Sequence, residues 1–149
     1  MGSLFRTCEG LGIGKLYLTG YTPYPLADGD ERLPHLSKKI SNQINKTALG
    51  AEKHLKWSGH QDINGLVNGL KKEGFSVLAL EQSPQSKKLS DYKPTSKIAL
   101  ILGNEVDGVE PELLTTCDEI LEIPMLGSKE SFNVVQAAAM ALYGLRYMV

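Results

Sequence analysis

Three short runs rich in apolar residues constrain the fold of this chain more than any other feature. They lie at 75–80, 98–102 and 119–123, and polar or helix-like segments separate them. A strand with one face in water alternates apolar and polar residues, whereas a strand covered on both faces is nearly continuously apolar. These runs therefore predict an α/β fold, in which a parallel sheet carries helices on both faces.

The other segments predict helices and strands that alternate in the same way. Apolar spacing, N-cap residues and glycine stops give their approximate bounds. The predicted elements are a helix over 2–12, a strand over 15–19, a helix from Ser37 to about Lys46, a strand over 55–57, a helix that Asp62 caps and Gly74 ends, a helix from Pro111 to about Thr116, and a last helix from Ser131 to about Met148. The segment 81–96 is predicted as a polar loop.

Length and composition indicate one soluble domain. The chain has 149 residues, of which 42% are hydrophobic and 22% are charged, and this balance excludes disordered, collagen-like and coiled-coil proteins. No apolar run approaches the roughly 18 residues of a membrane span, and no signal peptide is evident, so a cytoplasmic protein is expected. Cys8 and Cys117 form no C-x-x-C pair, which predicts reduced, partly buried thiols and no metal cluster.

The near-neutral net charge of −1 conceals an asymmetry. Residues 1–97 contain 14 Lys and Arg against 9 acidic residues, whereas residues 98–149 contain 2 against 8. The basic half therefore offers two interpretations, a phosphate-binding surface or an ordinary solvated face. The lysines concerned are Lys38, Lys39, Lys46, Lys53, Lys56, Lys71, Lys72, Lys87 and Lys88.

Several common sites are absent from the sequence pattern. The glycines of 10–14 resemble a dinucleotide fingerprint, but they end a predicted helix, whereas the fingerprint follows a strand and opens a helix. No glycine loop continues into G-K-[ST], so a P-loop is excluded. His35, His54 and His60 fit no metal spacing and no Ser-His-Asp pattern.

Two loops that directly follow predicted strands are the best candidates for a ligand site. The first, 103–108, has glycine at both ends and an acid, Glu105, between them; the second, 123–133, has an apolar start followed by Ser131 and Asn133. Open parallel sheets bind ligands beyond the carboxyl ends of their strands. Each loop taken alone is also consistent with a plain turn, whereas together they suit a nucleoside-sized ligand.

In this order and spacing, three segments resemble the motifs of the SpoU (TrmH) family of RNA 2′-O-ribose methyltransferases, of the SPOUT class. Segment 2–12, GSLFRTCEGLG, is similar to motif 1; segment 99–108, ALILGNEVDG, is similar to motif 2; and 123–139, which includes IPMLG and SFNVVQAA, is similar to motif 3. The resemblance covers nearly the whole chain. It implies a parallel α/β fold whose C-terminal segment forms a trefoil knot, a homodimer with the last helix in the interface, and tRNA or rRNA as the substrate.

The resemblance also implies S-adenosylmethionine as the methyl donor, with no metal, and it assigns residues to the site. Those implied to bind the donor are Leu80, Leu102, Gly103, Ile123, Met125, Ser131 and Phe132. Arg6 is implied to be catalytic, with Glu105 and Asn133 in support. An arginine can bind an RNA phosphate and stabilise negative charge, but it stays protonated in proteins, so water or a neighbouring phosphate is the expected proton acceptor. Apart from the motif, a solvated helix residue is the favoured interpretation of Arg6.

The chain also departs from the family pattern. Only Met1 precedes Gly2, so the asparagine and the first strand that usually precede motif 1 are missing, and Phe132 stands where leucine is usual. We therefore expect 1–149 to be a single SpoU-type domain without the first strand. A catalytically impaired, knotted RNA- or nucleotide-binding module is the alternative function, and a generic dinucleotide-binding protein is a third.

Overall fold

The computed structural model describes residues 1–147, which form two compact units. The first unit is Met1–Ile63, and the second comprises the residues from Asn64 onward. Met148, where the last helix was expected to end, lies outside the described residues. No helix within residues 1–147 combines the length and the apolar character needed to cross a bilayer.

The first unit combines three helices with a two-stranded parallel sheet. Its elements are α1 (Gly2–Gly10), β1 (Leu16–Thr19), α2 (Pro34–Ala48), α3 (Ala51–His54) and β2 (Trp57–His60). β1 pairs in parallel with β2, from Leu16 opposite Trp57 to Thr19 opposite His60. The predicted glycine stop of α1 is confirmed, because Gly12 takes a left-handed φ of +64° and its N–H donates to the carbonyl of Glu9.

Helix α1 packs closely on α2 at Gly2. A Cβ on Gly2 would overlap the hydroxyl of Thr47 and the carbonyl oxygen of Ile44, so only glycine allows this approach. Phe5, on the same helix, is fully buried and meets Trp57 edge to face, with ring centroids 6.2 Å apart. These contacts hold α1 in place within the first unit.

The segment 20–33 is ordered by the side chain of Arg32. Its guanidinium donates to both carboxylate oxygens of Asp30 and to the carbonyls of Tyr24 and Pro25, and it lies 3.6 Å from the centre of the Tyr24 ring. The hydrogen bonds from Arg32 lower the pKa of Asp30 from 3.8 to about 2. One arginine therefore satisfies several backbone and side-chain acceptors in a segment without regular structure.

The second unit is built on a four-stranded parallel sheet. Its elements are α4 (Ile63–Lys72), β3 (Ser76–Leu80), β4 (Lys87–Lys88), a 3₁₀ turn (Leu89–Asp91), β5 (Ile98–Leu102), α5 (Pro111–Leu114), β6 (Glu119–Glu122) and α6 (Val134–Tyr147). The strand order is β4-β6-β3-β5, so β3 is central, and its residues Val77, Leu78 and Ala79 are fully buried. Within residues 1–147 every pairing between these strands is parallel, which confirms the predicted α/β class.

Two predicted N-caps are wrong. Ser37 lies inside α2, which begins three residues earlier because Pro34 occupies its first turn, where a missing N–H costs nothing. Ser131 precedes α6 by three residues, and the oxygen of the Asn133 side chain accepts the N–H of Val135 instead.

Two strand predictions also need correction. Leu55 ends α3, since its N–H donates to Ala51 at 2.9 Å, and the strand predicted over 55–57 instead runs over Trp57–His60 beside β1. The loop predicted over 81–96 contains the short strand β4, where Lys87 pairs with Leu121 of β6. Two lysines have no apolar pattern, and only their neighbour in the sheet makes them a strand.

Candidate functional site

The carboxyl ends of three neighbouring strands form the centre of the candidate site. Leu80, the last residue of β3, pairs in register with Leu102, the last residue of β5. On its other side Leu80 pairs with Leu121 of β6, two residues before Ile123. Leu80, Leu102 and Ile123 are all partly exposed. Three residues predicted to bind a cofactor therefore lie at one edge of the sheet with apolar surface accessible.

The loop after β5 closes on itself through its backbone. The N–H of Asn104 donates to the carbonyl of Gly108, and the N–H of Gly108 donates back, both at 3.2 Å. A Cβ on Gly103 would overlap the carbonyl of Gly108 and lie 2.5 Å from the nitrogen of Val109. Gly108 has a left-handed φ of +68°. Both glycines are therefore required by this turn, for different reasons.

The tip of the same loop is held by an asparagine and carries the predicted acid. The side-chain oxygen of Asn104 accepts the N–H groups of Val106 and Asp107, at 2.8 and 2.7 Å. Glu105 is exposed at this tip, and Val106 beside it is 89% exposed. The predicted acid thus sits on an ordered turn and faces solvent.

Two residues just after β3 connect the loops on either side. A carboxylate oxygen of Glu81 accepts the N–H of Val109, at the end of the first loop, at 2.9 Å. The side-chain amide of Gln82 donates to the carbonyl of Glu130, in the second loop, also at 2.9 Å. Because β3 lies between β5 and β6, its last residues reach both loops.

The second loop, between β6 and α6, carries four predicted site residues in addition to Ile123. Met125 and Phe132 are partly exposed, whereas Ser131 and Asn133 are exposed. The bond from Gln82 to Glu130 places the segment next to Ser131 beside the end of β3. The structure therefore brings the end of this loop and the ends of the strands to one edge of the sheet. It does not show Asn133 contacting a second site residue, because its side-chain oxygen caps α6.

Arg6 lies on α1, in the first unit, whereas the other predicted site residues all belong to the second. It is exposed, although its neighbours Leu4, Phe5 and Cys8 are buried. Among residues 1–147 its guanidinium has no hydrogen-bond or ion-pair partner, so its donors are free to bind an anion.

The cysteines offer no reactive group, and the described residues offer no metal ligands in a cluster. Burial raises the pKa of the Cys8 thiol to about 11, and it also raises the pKa of Cys117. Within residues 1–147 no three His, Cys, Asp or Glu side chains come together in a way that could hold a metal ion.

Comparison with known proteins identifies the family. The sequence model of the SpoU rRNA Methylase family matches residues 31–143, which is most of the chain. This chain belongs to the SpoU family. The match includes both loops of the candidate site, whereas the motif 1 segment over 2–12 precedes it.

Two relatives carry the name tRNA (guanosine(18)-2′-O)-methyltransferase. The protein from Aquifex aeolicus is 30% identical over 144 residues, which are 95% of this chain and 60% of the relative. The protein from Borreliella burgdorferi is 28% identical over 111 residues, which are 74% of this chain and 51% of the relative. The chain therefore spans between half and two thirds of the length of these SpoU relatives.

Solved structures of similar proteins share the fold. The A. aeolicus TrmH/SpoU tRNA modifying enzyme matches with a TM-score of 0.78 at 23% identity, over 97% of this chain and 66% of that one. An AdoMet-bound rRNA methyltransferase from Sinorhizobium meliloti matches with a TM-score of 0.83 at 21% identity, over 99% of this chain and 51% of that one. The α/β architecture of this SpoU chain is thus the one found in these structures.

The sequence analysis of this SpoU chain missed Glu81 and Gln82. Both directly follow an apolar strand, which is the same signal that identified the two loops. Their polar side chains predict the start of a loop, because no pattern in the neighbouring sequence indicates that β3 is the central strand. The strand order makes these two positions neighbours of both loops.

Proposed function

We propose that this chain carries the catalytic domain of an S-adenosylmethionine-dependent RNA 2′-O-ribose methyltransferase, with tRNA as the substrate. The observation that carries the proposal is the meeting of three strand ends and two ordered loops at one edge of the parallel sheet, with the family's motif residues on them. The relatives named as tRNA methyltransferases support the choice of RNA.

The residues at this edge fit the donor. Leu80, Leu102 and Ile123 supply partly exposed apolar surface for an adenine ring, and the closed loop after Gly103 presents backbone groups next to it. Met125 and Phe132 add apolar surface and Ser131 adds a hydroxyl. When bound, S-adenosylmethionine supplies an electrophilic methyl group on a sulfonium. The residues of the chain would hold it in line with the acceptor oxygen and exclude water.

In the proposed reaction the bond between sulfur and methyl carbon breaks as a bond from the ribose 2′-oxygen to that carbon forms. The hydroxyl proton leaves to water or to a neighbouring RNA phosphate. Arg6 binds a phosphate and stabilises the negative charge that develops on oxygen, which its exposed guanidinium allows. Glu105 and Asn133 orient the bound groups, the first through its charge and the second through its amide.

Helix α2 supports RNA as the substrate. It contains no acidic residue, and one open depression is lined by His35, Lys38, Lys39, Asn42, Gln43 and Lys46. From His35 to Lys46 the helix advances by about 16 Å, enough to follow several phosphates of an RNA strand. We call these six residues the basic face of α2 and propose that it binds the RNA backbone.

A homodimer is proposed on the basis of α6. The small residues Ala138, Ala141 and Gly144 of this helix are buried within the chain itself. The exposed apolar residues of this helix are instead Met140, Tyr143 and Tyr147, spaced at i, i+3 and i+7, with the two tyrosine rings 5.0 Å apart. We call them the aromatic stripe of α6, and a second copy of this chain is its proposed partner.

We also propose that the segment after β5 is threaded as a trefoil knot. The path of the chain supports this proposal, since β4 pairs on the far side of β6 and α6 packs against the 3₁₀ turn that follows β4. Pulling the folded chain by handles at Asn64→Cys and Tyr147→Cys tests it. A knotted chain stops short of its full contour length, whereas an unknotted chain reaches it.

Two measurements test the function. Calorimetry should detect binding of S-adenosylmethionine, and a chain that does not bind the donor would contradict the proposal. Methyl incorporation into unmodified tRNA and into an rRNA fragment then identifies the substrate. Arg6→Ala should abolish incorporation into tRNA while donor binding persists. Donor binding without incorporation by the unaltered chain would instead favour an impaired binding module.

A further inference from the structure

Glu81 and Gln82 are consecutive residues whose side chains diverge to two different loops. Glu81 still belongs to the ladder of the sheet, since its N–H donates to the carbonyl of Leu121 at 2.9 Å. Its side chain reaches Val109, whereas the side chain of Gln82 reaches Glu130. The end of the central strand is therefore hydrogen-bonded to both loops. It bonds the first loop at Val109, directly after Gly108, and the second loop at Glu130.

Both oxygens of the Glu81 carboxylate accept hydrogen bonds from the backbone. One oxygen accepts the N–H of Val109 and the other accepts the N–H of Gln82, both at 2.9 Å. Bonds from N–H groups to a charged acceptor are stronger than bonds between neutral groups. Each oxygen of this carboxylate thus holds a backbone N–H in place, which is an interaction that positions the backbone around it.

The carboxylate of Glu81 occupies the space that a side chain at position 108 would need. A Cβ on Gly108 would overlap a carboxylate oxygen of Glu81, in addition to the strain that its left-handed φ would cause. The glycine at the end of the first loop therefore does two things: it allows the turn, and it leaves room for the carboxylate to reach Val109. This links a motif residue to a residue outside the motif.

We propose that Glu81 and Gln82 are positioning residues that set the distance between the two loops and so keep the donor pocket open to the correct width. This inference rests on the proposed function. Glu81 is partly exposed and Gln82 is exposed, so neither is part of the apolar core. Their loss should therefore loosen the loops without unfolding the sheet, whose centre is formed by Val77, Leu78 and Ala79.

The experiment uses Glu81→Ala, Glu81→Gln and Gln82→Ala in the full chain, with Glu112→Ala and Gln85→Ala as matched controls. Each variant is assayed for donor affinity by calorimetry, for KM and kcat with tRNA, and for amide hydrogen exchange. Glu81→Ala should weaken donor affinity and raise the KM for the donor by roughly tenfold to a hundredfold, since a charge-assisted hydrogen bond is lost. The kcat of Glu81→Ala at saturating donor should change by less than about twofold. In the two control variants, donor affinity, KM and kcat should all change by less than about twofold.

The two conservative comparisons separate positioning from general stability. Glu81→Gln keeps one acceptor oxygen of the two and should recover part of the lost affinity. Exchange of the Val109 amide should accelerate in Glu81→Ala but not in Gln82→Ala, which should affect only the loop around Glu130. Unchanged donor affinity in Glu81→Ala, together with accelerated exchange at Val109, would overturn the proposal.

Failure of the proposed function would give a different result. If the unaltered chain binds no donor, the affinity assay has no signal, but the exchange measurement still reports whether each side chain orders its loop. Equal protection of Val109 in Glu81→Ala and in the unaltered chain would overturn the inference independently of any methyl transfer.

Discussion

A side chain on Gly103 would overlap the carbonyl carbon of Gly108, so the two glycines that bound the loop after β5 are in direct backbone contact. The N–H of Val109 lies close to the same point, at 2.5 Å from a Cβ on Gly103. The loop is therefore tightly packed at this point, and the atoms that crowd Gly103 are backbone atoms, whose displacement would distort the turn.

Gly103→Ala should open this loop and lower donor affinity at least tenfold, because the backbone of Gly108 must shift to make room. Gly127→Ala is the matched control, since nothing lies within 4 Å of a Cβ at that position in the second loop. Calorimetry with S-adenosylmethionine measures the effect. Equal affinities for the two variants would contradict the rigid-loop interpretation.

Asn133 has a structural role that can be separated from the proposed catalytic one. Asn133→Ala removes the cap of α6 and should lower the free energy of unfolding by about 1 kcal/mol. Asn133→Asp keeps the acceptor oxygen and should restore the stability. Thermal unfolding measures the stability that the helix cap contributes. The rate of methyl transfer by Asn133→Asp shows whether catalysis requires the side-chain amide. Full activity in Asn133→Asp would show that only the cap matters.

The basic face of α2 predicts salt-dependent RNA affinity. Changing Lys38, Lys39 and Lys46 together to Gln should weaken tRNA binding and reduce the slope of log K against log salt by about two. Changing Lys15, Lys93 and Lys97 to Gln removes the same charge from exposed sites outside the lysines named as a candidate phosphate-binding surface. Filter binding over a salt series compares the triple variants. Identical slopes would assign the lysines of α2 to an ordinary solvated face.

The aromatic stripe of α6 predicts that the chain dimerises through its last helix. Tyr143→Glu should shift the sedimentation coefficient from dimer to monomer, because a charge would be buried without a partner in the interface. Tyr21→Glu changes a fully exposed tyrosine outside α6 and should leave the dimer intact. A monomer in the unaltered chain at micromolar concentration would contradict the proposal.

The Arg32 interactions predict the acid sensitivity of the segment 20–33. The pKa of Asp30 is lowered to about 2 in the folded chain, below its ordinary value of 3.8, so its ionised form stabilises the segment above pH 3.8. This stabilisation is lost as the pH falls toward 2. Arg32→Gln should raise the pKa toward 3.8, and an NMR titration of the Asp30 carboxyl measures both values. Equal values would exclude Arg32 as the cause.

The strands with strong apolar patterns could be predicted from the sequence, and so could their parallel arrangement. Ile98–Leu102 was predicted to the residue, and Ser76–Leu80 to within one residue, because these segments pair along their whole length inside the sheet. The two candidate loops were predicted from the positions of the strand ends, whereas the individual site residues came from the family resemblance. Local periodicity and strand-end geometry are properties of short segments, which a sequence records directly.

The remaining features depend on neighbours that are distant in the chain. β4 is a strand only because Lys87 lies beside Leu121 of β6, 34 positions away in the numbering. Likewise, Glu81 reaches Val109 only because β3 and β5 are adjacent. No pattern within 81–96 could have indicated either contact, since both follow from the order of the strands.

The burial of Cys8 has a practical consequence. With a pKa near 11, only on the order of one thiol in ten thousand is ionised at pH 7, so alkylating reagents and mild oxidants will scarcely modify α1. Cys117 is also protected, since its pKa is raised and its sulfur donates to the carbonyl of Leu113. A cysteine introduced at an exposed position would therefore react first. Dyes or spin labels could be attached to it without replacing Cys8 and Cys117, which are separate free thiols.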